Sequence, residues 1–313
     1  MSKKDVKYTV SVRLMTYMHA PFIKEAMDGI MMQKTDFKFE VVVGDDFSTD
    51  GTLDIIRTYS ETKNVHIKIL KREKGDAYWQ KRQELGRLYN FINILENCSG
   101  KYVALLDGDD YWTDPLKLQK QVDFLEENED YSMCFHKAKV ISEASTMTTN
   151  IYDHLEEKEY SGEEILNQWS IPTASVMFRN RYDLEILSKP NKDILFGDIL
   201  LFLFLATKGK LFCLKDEMSV YRRNGQGVSV KGRFTSKRKL IHYKTLYQLL
   251  QPNFKNALEN LVIKYLIKVI HYELDNRNFM QGFVYSKELL FLRPKALKDK
   301  VLKKRIKNVL NFN

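Results

Sequence analysis

Five aspartates, in two clusters that each follow a short apolar run, are the residues of this chain best suited to chemistry. They are Asp45 and Asp46 in the first cluster, and Asp107, Asp109 and Asp110 in the second. Neighbouring carboxylates repel one another unless a cation or a hydrogen-bond donor neutralises them. An Asp-x-Asp turn in a cleft therefore predicts Mg²⁺ or Mn²⁺ bound together with a diphosphate. Aspartates at strand ends can also simply cap the next helix, and for an isolated pair we would favour that explanation. The presence of two clusters favours a site for a metal and a nucleotide instead.

The elements around these clusters alternate between strands and helices. Strands are predicted over residues 6–14, 39–43, 65–69 and 102–106, and helices over 22–31, from 48–50, over 85–95 and from Asp114–Pro115. The first strand alternates apolar and polar residues, which predicts one buried face. The fourth is continuously apolar, which is typical of a strand covered on both faces. Such alternation predicts an α/β fold with a doubly wound, mostly parallel sheet.

The carboxyl ends of parallel strands form one edge, where ligands bind, so we expect the two acidic clusters to face one pocket. Beyond about residue 130 we predict strands over 133–140, 175–178 and 211–214, a buried helix over 199–207, and helices from residue 236. A boundary near Gly232 would give an α/β domain over residues 1–231 and a basic α-helical C-terminal region over residues 232–313.

The positive charge of the chain is concentrated at its C-terminal end. The formal charge is +9 over 313 residues, but residues 231–313 hold 19 Lys plus Arg against 5 Asp plus Glu. An enzyme acting on nucleic acid would be expected to line its cleft with this excess, whereas here the acidic part carries the motifs. Residues 231–313 contain no recognised nucleic-acid-binding motif, so we expect no nucleic-acid partner.

The cysteines and the lengths of the apolar runs indicate in which cellular compartment the protein would be found. Three distant cysteines without a Cys-x-x-Cys pair argue against a zinc ribbon or a disulfide framework and favour a reducing compartment. The longest apolar run, residues 199–206, is too short to span a bilayer, and no secretory signal is evident. We therefore expect a soluble, cytoplasmic protein.

Over roughly residues 8–230 the sequence resembles the family 2 glycosyltransferases, whose catalytic domain has the GT-A fold. The matching stretches are VSVRLMTYMHAPFI (10–23), VVVGDDFSTDGT (41–52), GRLYNF (86–91), GKYVALLDGDDYWTDPLKLQKQVDFLE (100–126), GDILLFLFLATKGK (197–210) and MSVYRRNGQGVS (218–229). The long central stretch is highly specific, whereas a bare Asp-x-Asp would not be.

The resemblance implies a role for each cluster. Asp46, with Asp45 beside it, would bind the base or ribose of a nucleotide-sugar donor, and Arg87 and Asn90 occupy positions of family nucleotide contacts. A helix-surface Arg can equally be a solvated charge.

In the second cluster, Asp107 and Asp109 would hold the metal on the diphosphate, and Asp110 would add a ligand or support the turn. Tyr111 and Trp112 would wall the sugar site or, more simply, pack.

Two further positions complete the implied mechanism. Asp198 matches the family's catalytic Asp and would accept the proton of an attacking acceptor hydroxyl; the alternative role is to cap the helix that follows. Arg222 and Arg223, before the loop at residues 225–227, would form a lid over the diphosphate. Met18 and Asn224 depart from the family pattern, where Asn and His are common, and this puts sugar-donor contacts and lid chemistry in question.

The resemblance therefore implies an inverting, metal-dependent transfer of a sugar, with UDP as the nucleotide by analogy, to a glycan or a lipid-linked saccharide. The basic C-terminal region could lie on an anionic membrane at the inner face of the plasma membrane, or could complete a core or a dimer interface. The alternative function is a non-catalytic module that binds nucleotide sugars or glycans on the same fold.

Overall fold

The computed structural model describes residues 7–142, 151–168, 171–184, 186, 192–224 and 234–293. Its chain divides into two compact units, Met1–Lys192 with Phe196–Val228, and Asp193–Leu195 with Ser229–Asn313. The predicted boundary at Gly232 and the predicted loop at residues 225–227 lie outside the described residues.

The first unit holds one sheet and the helices around it. In chain order its elements are β1 (Val10–Thr16), α1 (Ile23–Met31), β2 (Phe39–Asp45), α2 (Thr52–Arg57), β3 (Val65–Ile69), α3 (Ala77–Leu85), α4 (Leu88–Glu96), β4 (Tyr102–Asp107), β5 (Tyr111–Trp112), α5 (Lys117–Glu127), β6 (Tyr131–Ser142), β7 (Lys158–Tyr160), α6 (Gly162–Asn167), a 3₁₀ turn (Thr173–Ser175), β8 (Met177–Arg179), α7 (Gly197–Ala206) and β9 (Lys210–Arg223). Within the described residues the strands form a nine-stranded sheet in the order β3-β2-β1-β4-β8-β6-β9-β5, and β7 pairs with β9.

The sheet has a parallel half and a mixed half. β3, β2, β1 and β4 are mutually parallel, which confirms the predicted α/β class. β8 is antiparallel to β4 and β6, whereas β9 runs parallel to β6 and antiparallel to β5 and β7. Between β6 and β9 the register shifts, because His136 pairs with Leu214 and Lys137 pairs with Glu217. Lys215 and Asp216 therefore form a bulge in β9.

The core of the first unit has helices on both faces of the parallel strands. Apolar side chains of β1, β2 and β4 pack with α1, α5 and Trp112 in one buried cluster. On the other face α4 packs against β1 and β2. β1 is central in the sheet and buried on both faces, so the prediction of a strand with one buried face is wrong.

Two helix predictions also differ from the structure. The helix predicted over residues 85–95 is α4, which begins at Leu88; Leu85 is instead the last residue of α3, and Gly86, with a φ of +71°, separates the two helices. The helix predicted to begin at Asp114 and Pro115 begins at Lys117. The Asp114 carboxylate instead accepts a hydrogen bond from the Leu116 backbone N–H, which closes a turn before the helix.

The described part of the second unit is helical, as predicted. Its helices are α8 (Ser236–Leu250), α9 (Lys255–Asp275) and α10 (Phe279–Leu292), and α9 packs against both of the others. None of the helices in the described part of the chain combines the length and apolar character that crossing a bilayer requires.

Candidate active site

The two acidic clusters meet at the carboxyl edge of the parallel strands. β1 lies between β2 and β4, and its last residues pair in register with both, Thr16 with Asp45 and Met15 with Asp107. Beyond the strands, the Asp46 N–H donates to the Thr16 carbonyl over 2.9 Å. The Gly108 N–H donates to the Met15 carbonyl over the same distance. The predicted convergence of the two clusters on one edge is therefore observed.

The turn after β4 is packed closely against the turn after β1. A Cβ atom at Gly108 would lie 2.8 Å from His19 Nδ1 and 2.8 Å from Thr16 Cγ2, so only glycine fits there. His19 Nε2 lies 4.0 Å from Asp109 Oδ1. Residues 107–110 form the acidic turn, and this contact places the His19 imidazole beside Asp109, one of the carboxylates predicted to hold the metal.

Asp107 ends β4 above a buried arginine. Arg13 Nη1 lies 2.9 Å from Asp107 Oδ1, and the Arg13 side chain is fully buried. The distance is that of an ion pair, but neither atom makes a hydrogen bond of good geometry to any described residue. The guanidinium also lies 4.9 Å from the centre of the Phe91 ring. Arg13 thus partly neutralises the charge of Asp107, and a quarter of the Asp107 side chain is exposed.

Asp109 and Asp110 are held by β9. The Asn224 amide donates to Asp109 Oδ2 over 3.0 Å, and the Arg222 backbone N–H donates to Asp110 Oδ1 over 2.8 Å. The Arg222 side chain donates to the Asp109 carbonyl over 3.1 Å and pairs with Glu25. Both ends of the acidic turn are therefore fixed, since β5, which follows it, also pairs with β9.

Burial and the closeness of the carboxyl groups disfavour the charged forms of Asp109 and Asp110. Burial raises the pKa of Asp109, and the charge of Asp107 raises it further. Burial and the charge of Asp109 raise the pKa of Asp110 well above its ordinary value. In the described residues no group of three or more acidic, His or Cys side chains encloses a metal site. The turn instead offers a few carboxylates on one side, which suits a cation that also binds phosphate oxygens and water.

Asp198 lies in the first turn of α7, where the charge of Asp107 acts on it. Its Oδ1 accepts the backbone N–H of Ile199 over 2.9 Å, and its Oδ2 accepts the hydroxyl of Thr173 over 3.3 Å. Burial raises the pKa of Asp198, and the negative charge of Asp107 raises it further. The bond to Ile199 resembles the capping role considered above, yet Oδ2 keeps only one weak partner among the described residues.

The first acidic cluster is already bonded to the protein. Asp45 is buried, and its carboxylate accepts hydrogen bonds from the Thr16 hydroxyl and from the backbone N–H and hydroxyl of Ser48. Asp46 accepts two bonds of 2.9 Å from Arg82 Nε, one of 2.7 Å from Arg82 Nη2 and one of 3.0 Å from the Tyr78 hydroxyl. Any contact of Asp46 with a nucleotide would share a carboxylate that Arg82 holds.

The two other positions implied as nucleotide contacts lie at the start of α4. Asn90 is buried, donates to the Gly44 carbonyl over 3.1 Å and accepts from Arg72 Nη1 over 2.6 Å. Arg72 also donates to the Asp45 carbonyl and stacks 3.7 Å from the centre of the Tyr78 ring. Arg87 precedes the first residue of α4 and is half-buried. Asn90 therefore ties α4 to the end of β2.

The aromatic pair after the acidic turn divides into a packed and a peripheral residue. Trp112 is buried and donates its indole N–H to the Ala174 carbonyl over 2.8 Å, which confirms the packing interpretation for this residue. The ammonium of Lys117 lies 4.1 Å from the centre of the Trp112 ring, in the interior. Tyr111 is half-buried, and its ring lies 5.5 Å from the guanidinium of Arg222.

Sequence reasoning missed four residues of this edge, all of them basic or aromatic. They are Arg13, Arg72, Tyr78 and Arg82. A polar residue in the middle of the central strand could have flagged Arg13. The other three come from the stretch between β3 and α4, where no motif marks single positions.

The model of glycosyl transferase family 2 matches residues 11–182 of this chain. The chain belongs to this glycosyltransferase family. An uncharacterized protein of Mycobacterium tuberculosis is 32% identical to this chain over 219 residues, which are 70% of this chain and 60% of the relative. The putative teichuronic acid biosynthesis glycosyltransferase TuaG of Bacillus subtilis is 32% identical over 122 residues, covering 39% of this chain and 43% of TuaG.

Among solved structures, TarS of S. aureus in complex with UDP-GlcNAc has a TM-score of 0.58 at 18% identity, over 96% of this chain and 79% of that chain. This likeness shows the fold, which is GT-A, as the resemblance implied. The chain spans about 60% of the length of the mycobacterial relative.

Proposed function

We propose that this glycosyltransferase moves a sugar, with inversion, from a nucleoside diphosphate to a hydroxyl of a glycan or a lipid-linked saccharide. The observation that supports the proposal is the convergence of both acidic clusters on the carboxyl edge of the parallel strands, where Thr16 pairs with Asp45 and Met15 with Asp107. Asp198 is near enough for the charge of Asp107, after burial, to raise the pKa of Asp198. A carboxylate opposite a site for the leaving diphosphate is the arrangement that an inverting transfer needs.

The sugar donor is proposed to be a UDP-sugar. TarS, which shares the fold, is described in complex with UDP-GlcNAc. In this chain the diphosphate would lie against the acidic turn, with Arg222 at its edge, and the base towards Asp46 and Arg72. Since Arg82 and Tyr78 already hold Asp46, we expect Asp46 to accept from the base or the ribose only with its remaining lone pairs.

A divalent metal fits the acidic turn. Asp107 Oδ1 is buried and receives no hydrogen bond of good geometry from the described residues, although Arg13 Nη1 lies 2.9 Å from it. Burial, and then the charge of the neighbouring aspartates, raises the pKa values of Asp109 and Asp110, and a bound cation would favour their charged forms. Asp107 and Asp109 would hold the metal, and Asp110 would support the turn through Arg222. When bound, Mn²⁺ or Mg²⁺ supplies neutralisation of the leaving diphosphate.

Asp198 is proposed as the general base. The acceptor oxygen bonds to the anomeric carbon while the bond from that carbon to the phosphate oxygen breaks, and the hydroxyl proton passes to the Asp198 carboxylate. The raised pKa of Asp198 makes it a stronger base than an exposed Asp. Thr173, which donates to Oδ2, would orient the carboxylate.

The alternative is a module that binds the nucleotide sugar without turnover. Its support is Asn224, at a position where the family often has His, together with Met18. Asn224 nevertheless bonds to Asp109, so the departure retains a contact between β9 and the acidic turn.

Turnover with a panel of UDP-sugars and GDP-sugars and Mn²⁺, followed by release of the nucleoside diphosphate, tests the proposal. Asp109→Asn should lower the rate by about a hundredfold or more, because it removes a carboxylate proposed to hold the metal that neutralises the leaving diphosphate. Asp123→Asn, on the exposed side of α5, is the matched control and should not change the rate. Calorimetric binding of a nucleotide sugar without release in any acceptor mixture would favour the non-catalytic module. A product that retains the anomeric configuration, read by NMR, would overturn the inverting mechanism.

A further inference from the structure

Helix α10 carries an exposed apolar face. Its exposed large apolar side chains have exposed fractions between 45% and 87%. They are Phe279, Met280, Phe283, Val284 and Phe291. We name these five residues the α10 face. Isolated exposed apolar residues are ordinary, but five on one 14-residue helix form a patch of the kind that marks an interaction surface.

The five side chains share one side of the helix. At about 100° per residue they fall within an arc of about 140°. Gly282 and Leu289, which are buried, lie on the other side, where Gly282 approaches Leu274 of α9 so closely that a Cβ atom would lie 2.8 Å from Leu274 Cδ2. The α10 face is therefore the side turned away from the packing partner of this helix.

The residue in the middle of the arc is a lysine with its charge at the surface. Lys287 is exposed, and its ammonium lies 4.6 Å from the centre of the Phe283 ring. Its aliphatic stem thus covers part of the apolar face while the charge remains accessible. An apolar stripe with cations at its surface is the pattern of helices that lie in the plane of a membrane interface.

The charge beyond α10 has the same sign. Arg293 follows the helix, and residues 294–313 contain seven Lys plus Arg and one Asp. Residues 231–313 as a whole hold 19 basic and 5 acidic residues. Apposing two copies through their α10 faces would bring two such regions together, and their repulsion disfavours a dimer there. An anionic surface is complementary to both the charge and the apolar stripe.

We propose that the α10 face docks on an anionic lipid bilayer, with its aromatic side chains at the level of the acyl boundary and the nearby lysines and arginines at the headgroups. This inference goes beyond glycosyl transfer and does not depend on the identity of the sugar. It concerns the second unit alone, so it can fail while the proposed function holds, and the reverse.

Co-sedimentation of the full chain with vesicles tests the proposal. Vesicles of phosphatidylcholine with phosphatidylglycerol should bind the protein at low salt, and vesicles of phosphatidylcholine alone should bind it at least about tenfold more weakly. Phe283→Ser combined with Phe291→Ser should weaken binding to the anionic vesicles by about tenfold or more. Ile151→Ser replaces an exposed apolar residue of the first unit and is the matched control, expected to leave binding unchanged.

Each contrary outcome overturns the proposal. Anionic vesicles that bind the double variant as well as the wild type would show that basic residues act without the α10 face. A dimer in light scattering that the double variant dissociates would make the face an interface between copies. A fall of several degrees in the melting temperature of the double variant would show that another part of the chain covers the face.

Phe291→Asp, at an 87% exposed site, repeats the measurement with little risk to folding. UDP binding, measured in the same samples, should be unchanged in every variant.

Discussion

Replacing Lys117 with Met should remove a pH-dependent part of the stability of the first unit. The Lys117 side chain is fully buried, and its ammonium donates to Gln121 Oε1 over 2.6 Å and lies 4.1 Å from the centre of the Trp112 ring. Burial lowers the pKa of Lys117 from 10.5 to about 7, because the interior disfavours its charged form.

The size of the effect follows from these contacts. At about 1.4 kcal/mol for each unit of pKa, neutralising Lys117 on folding costs about 5 kcal/mol near pH 7. Between about pH 7 and pH 10.5 the unfolded chain keeps the proton on Lys117, whereas the folded protein has released it. The free energy of unfolding therefore rises with pH between about 7 and 10.5.

The assay is urea unfolding followed by tryptophan fluorescence, since all three tryptophans lie in the first unit. Lys117→Met should lack the rise, so the difference in unfolding free energy between it and the wild type should change by about 3 kcal/mol from pH 7 to pH 10. Lys24→Met, at an exposed site on α1, should follow the wild type. Parallel pH profiles for the wild type and Lys117→Met would refute the reasoning.

Two further predictions concern the candidate site. Arg82→Ala should weaken UDP binding about tenfold in calorimetry, because it leaves the charge of Asp46 uncompensated beside the proposed site of the base and ribose. Lys81→Ala is the exposed control, and tighter binding of UDP by Arg82→Ala would show instead that Arg82 competes with the nucleotide. The transfer rate should fall on the acid side at a higher pH than the ordinary carboxyl pKa of 3.8, because Asp198 acts only when deprotonated and its pKa is raised. A rate unchanged in Asp198→Asn would contradict that role.

The parallel half of the fold could be predicted because its local signals are strong. The apolar run before Asp107 predicts a strand covered on both faces, and β4 lies between β1 and β8 in the sheet. The same logic failed at β1, where alternating polar residues suggested a solvent face. Ser11 and Arg13 are instead buried, because neighbouring strands and α4 cover that side. Alternation alone does not separate solvent from a buried polar network.

The candidate site could be predicted in position but not in its internal bonding. The aspartates lie at the expected edge because strand register brings β2 and β4 to the same end of β1. The Arg82 contact to Asp46 and the Arg222 contact to Asp110 join residues 36 and 112 positions apart, and no local pattern encodes such pairs. The roles of all the candidate residues towards a ligand or a metal remain predictions, namely those of Asp45, Asp46, Arg87, Asn90, Asp107, Asp109, Asp110, Asp198 and Arg222.

The bulge at Lys215 and Asp216 sets the register of the part of β9 that contacts the acidic turn. β6 fixes β9 before the bulge, and Arg222 lies six residues after Asp216. Since a strand advances about 3.3 Å per residue, adding or removing one bulge residue would present a different side chain to Asp109 and Asp110. Relatives could in this way diverge in how they hold the departing nucleotide through insertions and deletions at one remote position, while the aspartates themselves stay unchanged.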